Sequence, residues 1–128
     1  MILKLISWNV NGLRACVKND ALGWITQEKP DFLALQEIKV SEDKIPSEIY
    51  NLGFENLDVN SGEKAGYSGV ASLHNLKCVT FKNLFFKKTK GAFCSTILMK
   101  FHYLIYIFQT VKKMKTDLIS RWNFMINF

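Results

Sequence analysis

Two polar side chains near the start of the sequence have the types and the spacing to hold a cation. Asn9 follows the apolar segment Leu3 to Trp8, and Glu37 follows a second apolar segment, Phe32 to Gln36. Mg²⁺ in proteins typically takes one or two carboxylates and keeps several waters, so the Glu37 carboxylate is suited to Mg²⁺ and Asn9 could share one ligand with it. Lys39, two residues further on, can steady the carboxylate or a phosphate. Without neighbouring motifs, a solvated residue at a strand end is the simpler interpretation of Glu37.

A second set of side chains is suited to contacting phosphate. Arg14 and Lys18 follow a glycine turn, and a later loop contains Lys64, Gly66 and Tyr67. Glycines in such loops allow the backbone to approach a phosphate closely. Each residue also has an ordinary interpretation, as surface charge for the two former residues and as a ring packed on its loop for Tyr67.

Two strands and a helix must bring these residues together. Leu3 to Trp8 is apolar at nearly every position, which predicts a strand buried on both faces, and Phe32 to Gln36 predicts another. Between them we predict a helix that is capped by Asn19 or Asp20 and ends before Pro30. This order predicts a βαβ unit with a parallel pair and a right-handed crossover. The carboxyl ends of the two strands, where the polar residues follow, should then meet at one edge of the sheet.

The rest of the chain predicts shorter elements. We expect a helix and three strands, at Pro46 to Leu52 closed by Gly53, Phe54 to Val59, Val70 to Leu73 and Cys78 to Phe86. The apolar window from Ala92 to Phe108 is only 17 residues long and contains Lys100 and His102, so we expect no membrane segment. In Val111 to Lys115 and Trp122 to Phe128 we predict no coherent element.

Composition points to one globular domain in a reducing compartment. The chain has 128 residues, of which 48% are hydrophobic and 22% charged. Cys16, Cys78 and Cys94 form no CxxC pair and cannot all pair internally, and no charged leader precedes an apolar run at the N-terminus, so we expect a cytoplasmic location. We also expect a monomer. His74 and His102 lack metal-ligand spacing, and neither is assigned a ligand role.

Three segments, taken together, resemble the exonuclease III / apurinic-apyrimidinic endonuclease family of DNA-repair phosphodiesterases. They are Leu5 to Ala15, with the sequence LISWNVNGLRA, Leu35 to Lys39, with LQEIK, and Gly66 to Ala71, with GYSGVA; Pro30-Asp31-Phe32 precedes the second. The resemblance spans residues 2 to 73 and implies an α/β fold, a four-layer sandwich of two mixed sheets flanked by helices. This chain would hold only the N-terminal part of that sandwich.

The resemblance also implies an activity and roles for the residues named above. The activity would be Mg²⁺-dependent hydrolysis of DNA phosphodiester bonds, with Mn²⁺ as an alternative ion, on double-stranded DNA with abasic sites or 3′ ends. Glu37 would hold the metal and Asn9 would orient the scissile phosphate or a catalytic group. Asn11 falls where some relatives carry a second acidic ligand, and as an amide it would bind at best weakly or through water. The DNA-backbone contacts would be made by Arg14, Lys18, Lys64, Gly66 and Tyr67.

The second half of the family's catalytic machinery has no match in this sequence. The family carries there an Asp-x-Asn segment, a Tyr on a Pro-Asn-rich loop and a C-terminal Asp-His pair preceded by Ser. After Glu63 this sequence has one acidic residue, Asp117, which is followed by Leu118. We therefore expect an inactive, truncated form of a hydrolase.

Charge divides the chain at the same place. Residues 1 to 64 have seven Lys/Arg against ten Asp/Glu, net −3, whereas residues 65 to 128 have ten against one, net +9. We attribute this change to a single-base frameshift between about residue 75 and residue 100, with a genuinely divergent tail as the alternative. In the shifted frame Met114-Lys115 and Trp122-Asn123 must each give Glu, and suitable codons give an Asn-x-Tyr-x-Pro-Asn-Gly motif like the family's next one. We thus divide the chain into residues 1–90, half of a nuclease domain, and residues 91–128, an aberrant tail.

Two alternatives stay open. The basic second half is also compatible with a non-catalytic DNA-binding fragment, because clustered positive charge binds the phosphate backbone without regard to sequence. The same superfamily includes phosphodiesterases that act on lipids and inositol phosphates. The Arg14-Ala15 context and the glycine-rich loop at Tyr67 favour the DNA branch.

Overall fold

The computed structural model describes residues 2–62, 64, 66–76, 78–82, 94–98, 103–105 and 121–127. Within these ranges it forms two sheets and three short α-helices. No helix among the described residues is long and apolar enough to cross a membrane.

The larger sheet has five strands and is built around a parallel pair. β1 (Ile2–Asn9) and β2 (Phe32–Gln36) are parallel neighbours, with Leu5 opposite Phe32 and Asn9 opposite Gln36. On the other side of β2 lie β3 (Asn56–Asn60) and β4 (Val70–His74), in the order β3-β4-β2-β1 and with antiparallel pairing. The parallel pair predicted from the sequence is therefore confirmed, and both carboxyl ends lie at one edge of the sheet.

The remaining strands come from the C-terminal part of the chain. The strands β5 (Cys78–Lys82), β6 (Cys94–Leu98) and β7 (Tyr103–Ile105) form a separate antiparallel sheet. β8 (Arg121–Asn127) pairs antiparallel with β1 along seven residues. The prediction of no element at 122–128 is therefore wrong. β1 would otherwise present a long apolar edge, and the sequence WNFMI suits a strand that covers it. Val111 to Lys115 lies outside the described residues.

The helices differ from the sequence prediction at their N-termini. The helices are α1 (Leu13–Lys18), α2 (Gly23–Glu28) and α3 (Ser47–Tyr50), with one 3₁₀ turn at Glu42–Lys44. Asn19 and Asp20 do not cap α2, because they end α1: their N–H groups donate to the carbonyls of Ala15 and Val17, each at 3.0 Å. α2 ends before Pro30 as predicted, with Lys29 in the left-handed region at φ 45°.

The core packs the helices against one face of the large sheet. Trp8, Leu33, Leu35 and Leu73 are buried on that face, and Trp8 meets Trp24 of α2 edge to face, with ring centroids 5.2 Å apart. The opposite face buries a smaller cluster of Leu5, Phe32 and Ala34. β1 and β2 therefore bury residues on both faces, as their largely apolar sequences predict.

Candidate active site

The site lies where the parallel strands end and their backbones continue side by side. Beyond Asn9, the N–H of Val10 donates to the carbonyl of Gln36 at 3.0 Å. The N–H groups of Gly12 and Leu13 donate to the carbonyls of residues 37 and 38, at 2.8 and 2.9 Å. The segment that leads into α1 is thus fixed against the segment that carries Glu37.

A second segment fixes the Glu37 segment from the other side. The N–H of Ile38 donates to the carbonyl of Gly69 at 3.1 Å, and the N–H of Lys39 donates to the carbonyl of Ser68 at 2.7 Å. Residues 37–39 therefore lie between the start of α1 and the glycine-rich loop. This arrangement joins both groups of predicted DNA contacts to the predicted metal ligand through the backbone.

The backbone of this region has unusual torsion angles. Asn11, Glu37, Lys39 and Ser68 all have positive φ, at 46°, 50°, 53° and 54°. Such a conformation costs a side-chain-bearing residue about 1–3 kcal/mol and is found where the surrounding structure over-determines it. Ile38, between two of these residues, is fully buried. Its neighbours Glu37 and Lys39 keep side chains that are 26% and 35% exposed.

Four predicted residues form one hydrogen-bonded group, which we call the carboxylate cluster: Asn9, Asn11, Glu37 and Lys39. The Nδ2 of Asn9 donates to Oε1 of Glu37 at 3.0 Å, and the Oδ1 of Asn9 accepts the backbone N–H of Asn11 at 3.0 Å. The ammonium of Lys39 donates to Oδ1 of Asn11 and lies 3.5 Å from Oε2 of Glu37. Every polar atom of the Asn9 side chain thus has a partner that orients it.

The donor set of the carboxylate cluster fits a water-rich Mg²⁺ site. Glu37 supplies one carboxylate, whose oxygens have more acceptor capacity than one amide and one ammonium use. Among the described residues, no group of three or more His, Cys, Asp and Glu could hold a metal ion. A site with one carboxylate and several waters is one that Mg²⁺ accepts, whereas ions that require several protein ligands would find too few here.

The predicted DNA contacts flank the carboxylate cluster without entering it. Arg14 and Lys18 are exposed on α1. On the loop, the Tyr67 side chain is 61% exposed and the Lys64 ammonium lies 6.0 Å from its ring centroid. The ring of Tyr67 therefore faces solvent, and Gly66 beside it adopts φ 72°.

Sequence reasoning missed several residues that support the site. Gln36 donates from Nε2 to Oγ of Ser7 at 2.6 Å, on the same sheet face as Asn9. Ser68 is 5% exposed, and its Oγ has no hydrogen-bond partner among the described residues. The polar Gln36 at the end of an apolar strand was a signal for the first contact. The sequence carried no signal for Ser68, because its burial depends on tertiary packing.

The buried histidine lies at the opposite end of the sheet. His74 has Nε2 3.3 Å from Oδ2 of Asp58 and Nδ1 3.1 Å from the carbonyl oxygen of Leu76, and its ring stacks on Phe32. In register it pairs with the first residue of β2, whereas the carboxylate cluster follows the last. His102 lies outside the described residues.

A comparison with known protein families identifies the family of this chain. The sequence profile of the Endonuclease/Exonuclease/phosphatase family matches residues 6–101, which is most of the chain, and the chain belongs to that family.

Within this family, the chain is similar to DNA-repair nucleases and exodeoxyribonucleases over its N-terminal part. It is 45% identical over 73 residues to the DNA repair nuclease APEX1 of Danio rerio and 43% identical over 72 residues to an exodeoxyribonuclease of Bacillus subtilis. These stretches cover 56% and 54% of this chain but only 24% and 27% of those proteins. The resemblance to exonuclease III and AP endonucleases is thus confirmed for the N-terminal portion, and the chain spans about a quarter of its relatives' length.

Solved structures confirm the fold class. An AP endonuclease from Archaeoglobus fulgidus superimposes with a TM-score of 0.62 at 25% identity, over 73% of this chain and 36% of that one. The AP endonuclease LMAP of Leishmania major gives a TM-score of 0.59 at 24% identity and shows the fold alone. The prediction of a truncated α/β sandwich agrees with these partial superpositions.

Proposed function

We propose that residues 2–76 carry the metal- and phosphate-binding part of a DNA-repair phosphodiesterase site of the exonuclease III / AP endonuclease type. One observation carries this proposal: the Asn9 amide and the Glu37 carboxylate are hydrogen-bonded at 3.0 Å where two parallel strands end. The substrate class is duplex DNA with abasic sites or 3′ ends, in line with the names of the relatives.

Glu37 is the proposed ligand of Mg²⁺ or Mn²⁺, and Asn9 the residue that orients its carboxylate and the scissile phosphate. When bound, such an ion neutralises charge on the phosphoryl oxygens. Asn9 fixes one carboxylate oxygen by its Nδ2–H and is itself fixed by the backbone of Asn11. The Glu37 carboxylate is therefore oriented before an ion binds, and ion binding does not have to order this side chain.

The exposed basic residues on both flanks are the proposed phosphate contacts. Arg14 and Lys18 stand on α1, and Lys64 and Tyr67 stand on the loop beside Gly66. Contacts of this kind position a protein on duplex DNA and carry no sequence information directly. A repair nuclease that acts on a lesion in any sequence context requires that kind of binding.

We further propose that this chain binds DNA without hydrolysing it. Hydrolysis requires an activated water and groups that stabilise the leaving oxygen. After Glu63 the sequence has a single acidic residue, Asp117, and lacks the family motifs that supply those groups. Each missing group commonly costs about 10²- to 10⁴-fold in rate, so their joint loss leaves no measurable turnover.

The second candidate is a DNA-binding fragment that has no metal site and binds through its basic second half, and the charge distribution favours it. Residues 65–128 have ten Lys/Arg against one Asp, net +9. Binding through this charge alone falls steeply with salt and does not require a divalent ion. The proposed site, in contrast, requires Glu37 for the metal-dependent part of binding.

Mn²⁺ broadening of amide NMR signals tests the proposal. We expect selective broadening at Asn9, Asn11, Glu37 and Lys39, absent in Glu37→Gln and retained in Glu48→Gln, which removes an exposed carboxylate on α3. Broadening that persists in Glu37→Gln, or that centres on Asp58 and His74, would place the ion elsewhere and refute the site.

A further inference from the structure

The Lys39 ammonium lies where a positive charge would balance the negative charge of the Glu37 carboxylate. It donates to Oδ1 of Asn11 and lies 3.5 Å from Oε2 of Glu37. Oε2 belongs to the carboxylate that would hold a divalent ion. The carboxylate cluster thus has its own internal counter-ion.

The charge of the carboxylate cluster is balanced by this contact. Glu37 contributes one negative charge, Lys39 one positive charge, and the two asparagines none. A divalent ion that approaches Glu37 therefore meets no net negative charge, and it meets a like charge close to its binding oxygen. Like charges a few ångströms apart repel each other at a partly buried site, so an ion on the carboxylate weakens the contact of the ammonium with it.

The main chain of Lys39 is fixed, but its side chain can move away from Glu37. Its N–H donates to the carbonyl of Ser68 at 2.7 Å and its φ is 53°, so the main chain is fixed. The side chain is 35% exposed and ends in a flexible four-carbon stem, so the ammonium can turn towards solvent. Displaced in this way, it stays within reach of the site.

We propose that Lys39 is a positioning residue that exchanges with the metal ion. In the metal-free chain its ammonium holds Glu37 and Asn11 in place, and a divalent cation on Glu37 displaces it towards solvent. The inference rests on the proposed function, since it requires Glu37 to be the metal ligand. It is compatible with an asparagine at position 11, because the neutral Oδ1 of Asn11 accepts a hydrogen bond from Lys39 when no metal is bound.

The exchange predicts that loss of Lys39 strengthens metal binding. Free Mn²⁺ measured by electron paramagnetic resonance on the purified chain gives the affinity directly. We expect Lys39→Met to bind Mn²⁺ about tenfold more tightly than the unmodified chain, since one repelling charge is gone, and Lys39→Arg to stay within about twofold. A purely structural lysine predicts the reverse, because its loss would loosen Glu37 and Asn11 and weaken binding.

A second measurement, by NMR, observes the Lys39 side chain directly. In the unmodified chain, Mg²⁺ should move the Cε and Hε chemical shifts of Lys39 towards those of a solvated lysine, and Glu37→Gln should abolish the change. Unchanged or weaker Mn²⁺ binding in Lys39→Met would overturn the exchange while leaving the metal site intact. If neither the unmodified chain nor Lys39→Met shows Mn²⁺ binding that depends on Glu37, the proposed function is refuted, and the exchange with it.

Discussion

Glu37 and Lys39 both have positive φ angles and partly exposed side chains, whereas Ile38 between them is fully buried. The sequence predicts that Asn9 and Glu37 meet, because each follows a strand of a parallel pair. It does not predict that Lys39 reaches Asn11, because that contact depends on left-handed backbone at both residues. Local propensity gives little warning of such conformations outside glycine.

Gly69 is the residue whose replacement should most directly disturb this geometry. It has φ 91°, and a Cβ there would come within 2.8 Å of Cγ1 of Ile38. We expect Gly69→Ala to lower the free energy of unfolding by about 1–3 kcal/mol, measured by urea denaturation. Gly23→Ala is the matched control, since no atom lies within 4 Å of its added Cβ. If both variants unfold at the same urea concentration, the close approach of residue 69 to Ile38 does not require a glycine.

Cys16 gives a pH dependence that can be measured. Burial raises the pKa of its thiol, which donates to the carbonyl oxygen of Val10 at 3.2 Å. The folded state then holds the proton more tightly than the unfolded state, so the contribution of this group is complete below the unfolded pKa and is lost as pH rises above about 8.5. We expect Cys16→Ala to unfold with a smaller decrease in stability between about pH 8 and 10 than the unmodified chain. An equal decrease in both would show that the thiol does not contribute.

At the scale of elements, α1 shows why part of the fold escapes prediction. It is six residues long, has no side-chain cap and no acidic residue in its first turn, and follows a glycine at φ 111°. None of the sequence signals for a helix start is present. Its position is set instead by hydrogen bonds from Gly12 and Leu13 to the Glu37 segment, which are tertiary contacts. The strands β1 and β2 are predictable because short, largely apolar segments of this kind are typical of strands buried on both faces.

Hydrogen exchange should rank the elements by how many neighbours they have. β2 lies between β1 and β4, whereas β8 pairs with β1 alone in the described sheet. We expect amides of Leu3 to Trp8 and Phe32 to Gln36 to exchange more slowly than any amide after Phe93. Equal or greater protection across residues 94–128 would show that the C-terminal part is an integral element, contrary to its prediction as an aberrant tail.

At the scale of the whole molecule, the division of charge and the loss of family motifs fall in the same part of the chain. A frameshift would account for both the absence of these motifs and the change from net −3 over residues 1–64 to net +9 over residues 65–128, whereas a divergent tail is the alternative. We expect the nucleotide sequence, continued in the shifted frame, to encode an Asp-x-Asn segment and later Ser-Asp-His. Stop codons soon after residue 128 in that frame would refute the frameshift.

Incision of duplex DNA is the most direct test of the central claim, that this chain carries the binding part of a nuclease site without the groups that complete hydrolysis. The substrate is a duplex with one abasic site, incubated with the purified 128-residue chain in excess Mg²⁺. We expect no incision above that of buffer, because the water-activating and leaving-group-stabilising residues are missing. Robust Mg²⁺-dependent incision that is lost in Glu37→Gln and kept in Glu48→Gln would contradict the account, since the N-terminal part would then be sufficient for catalysis.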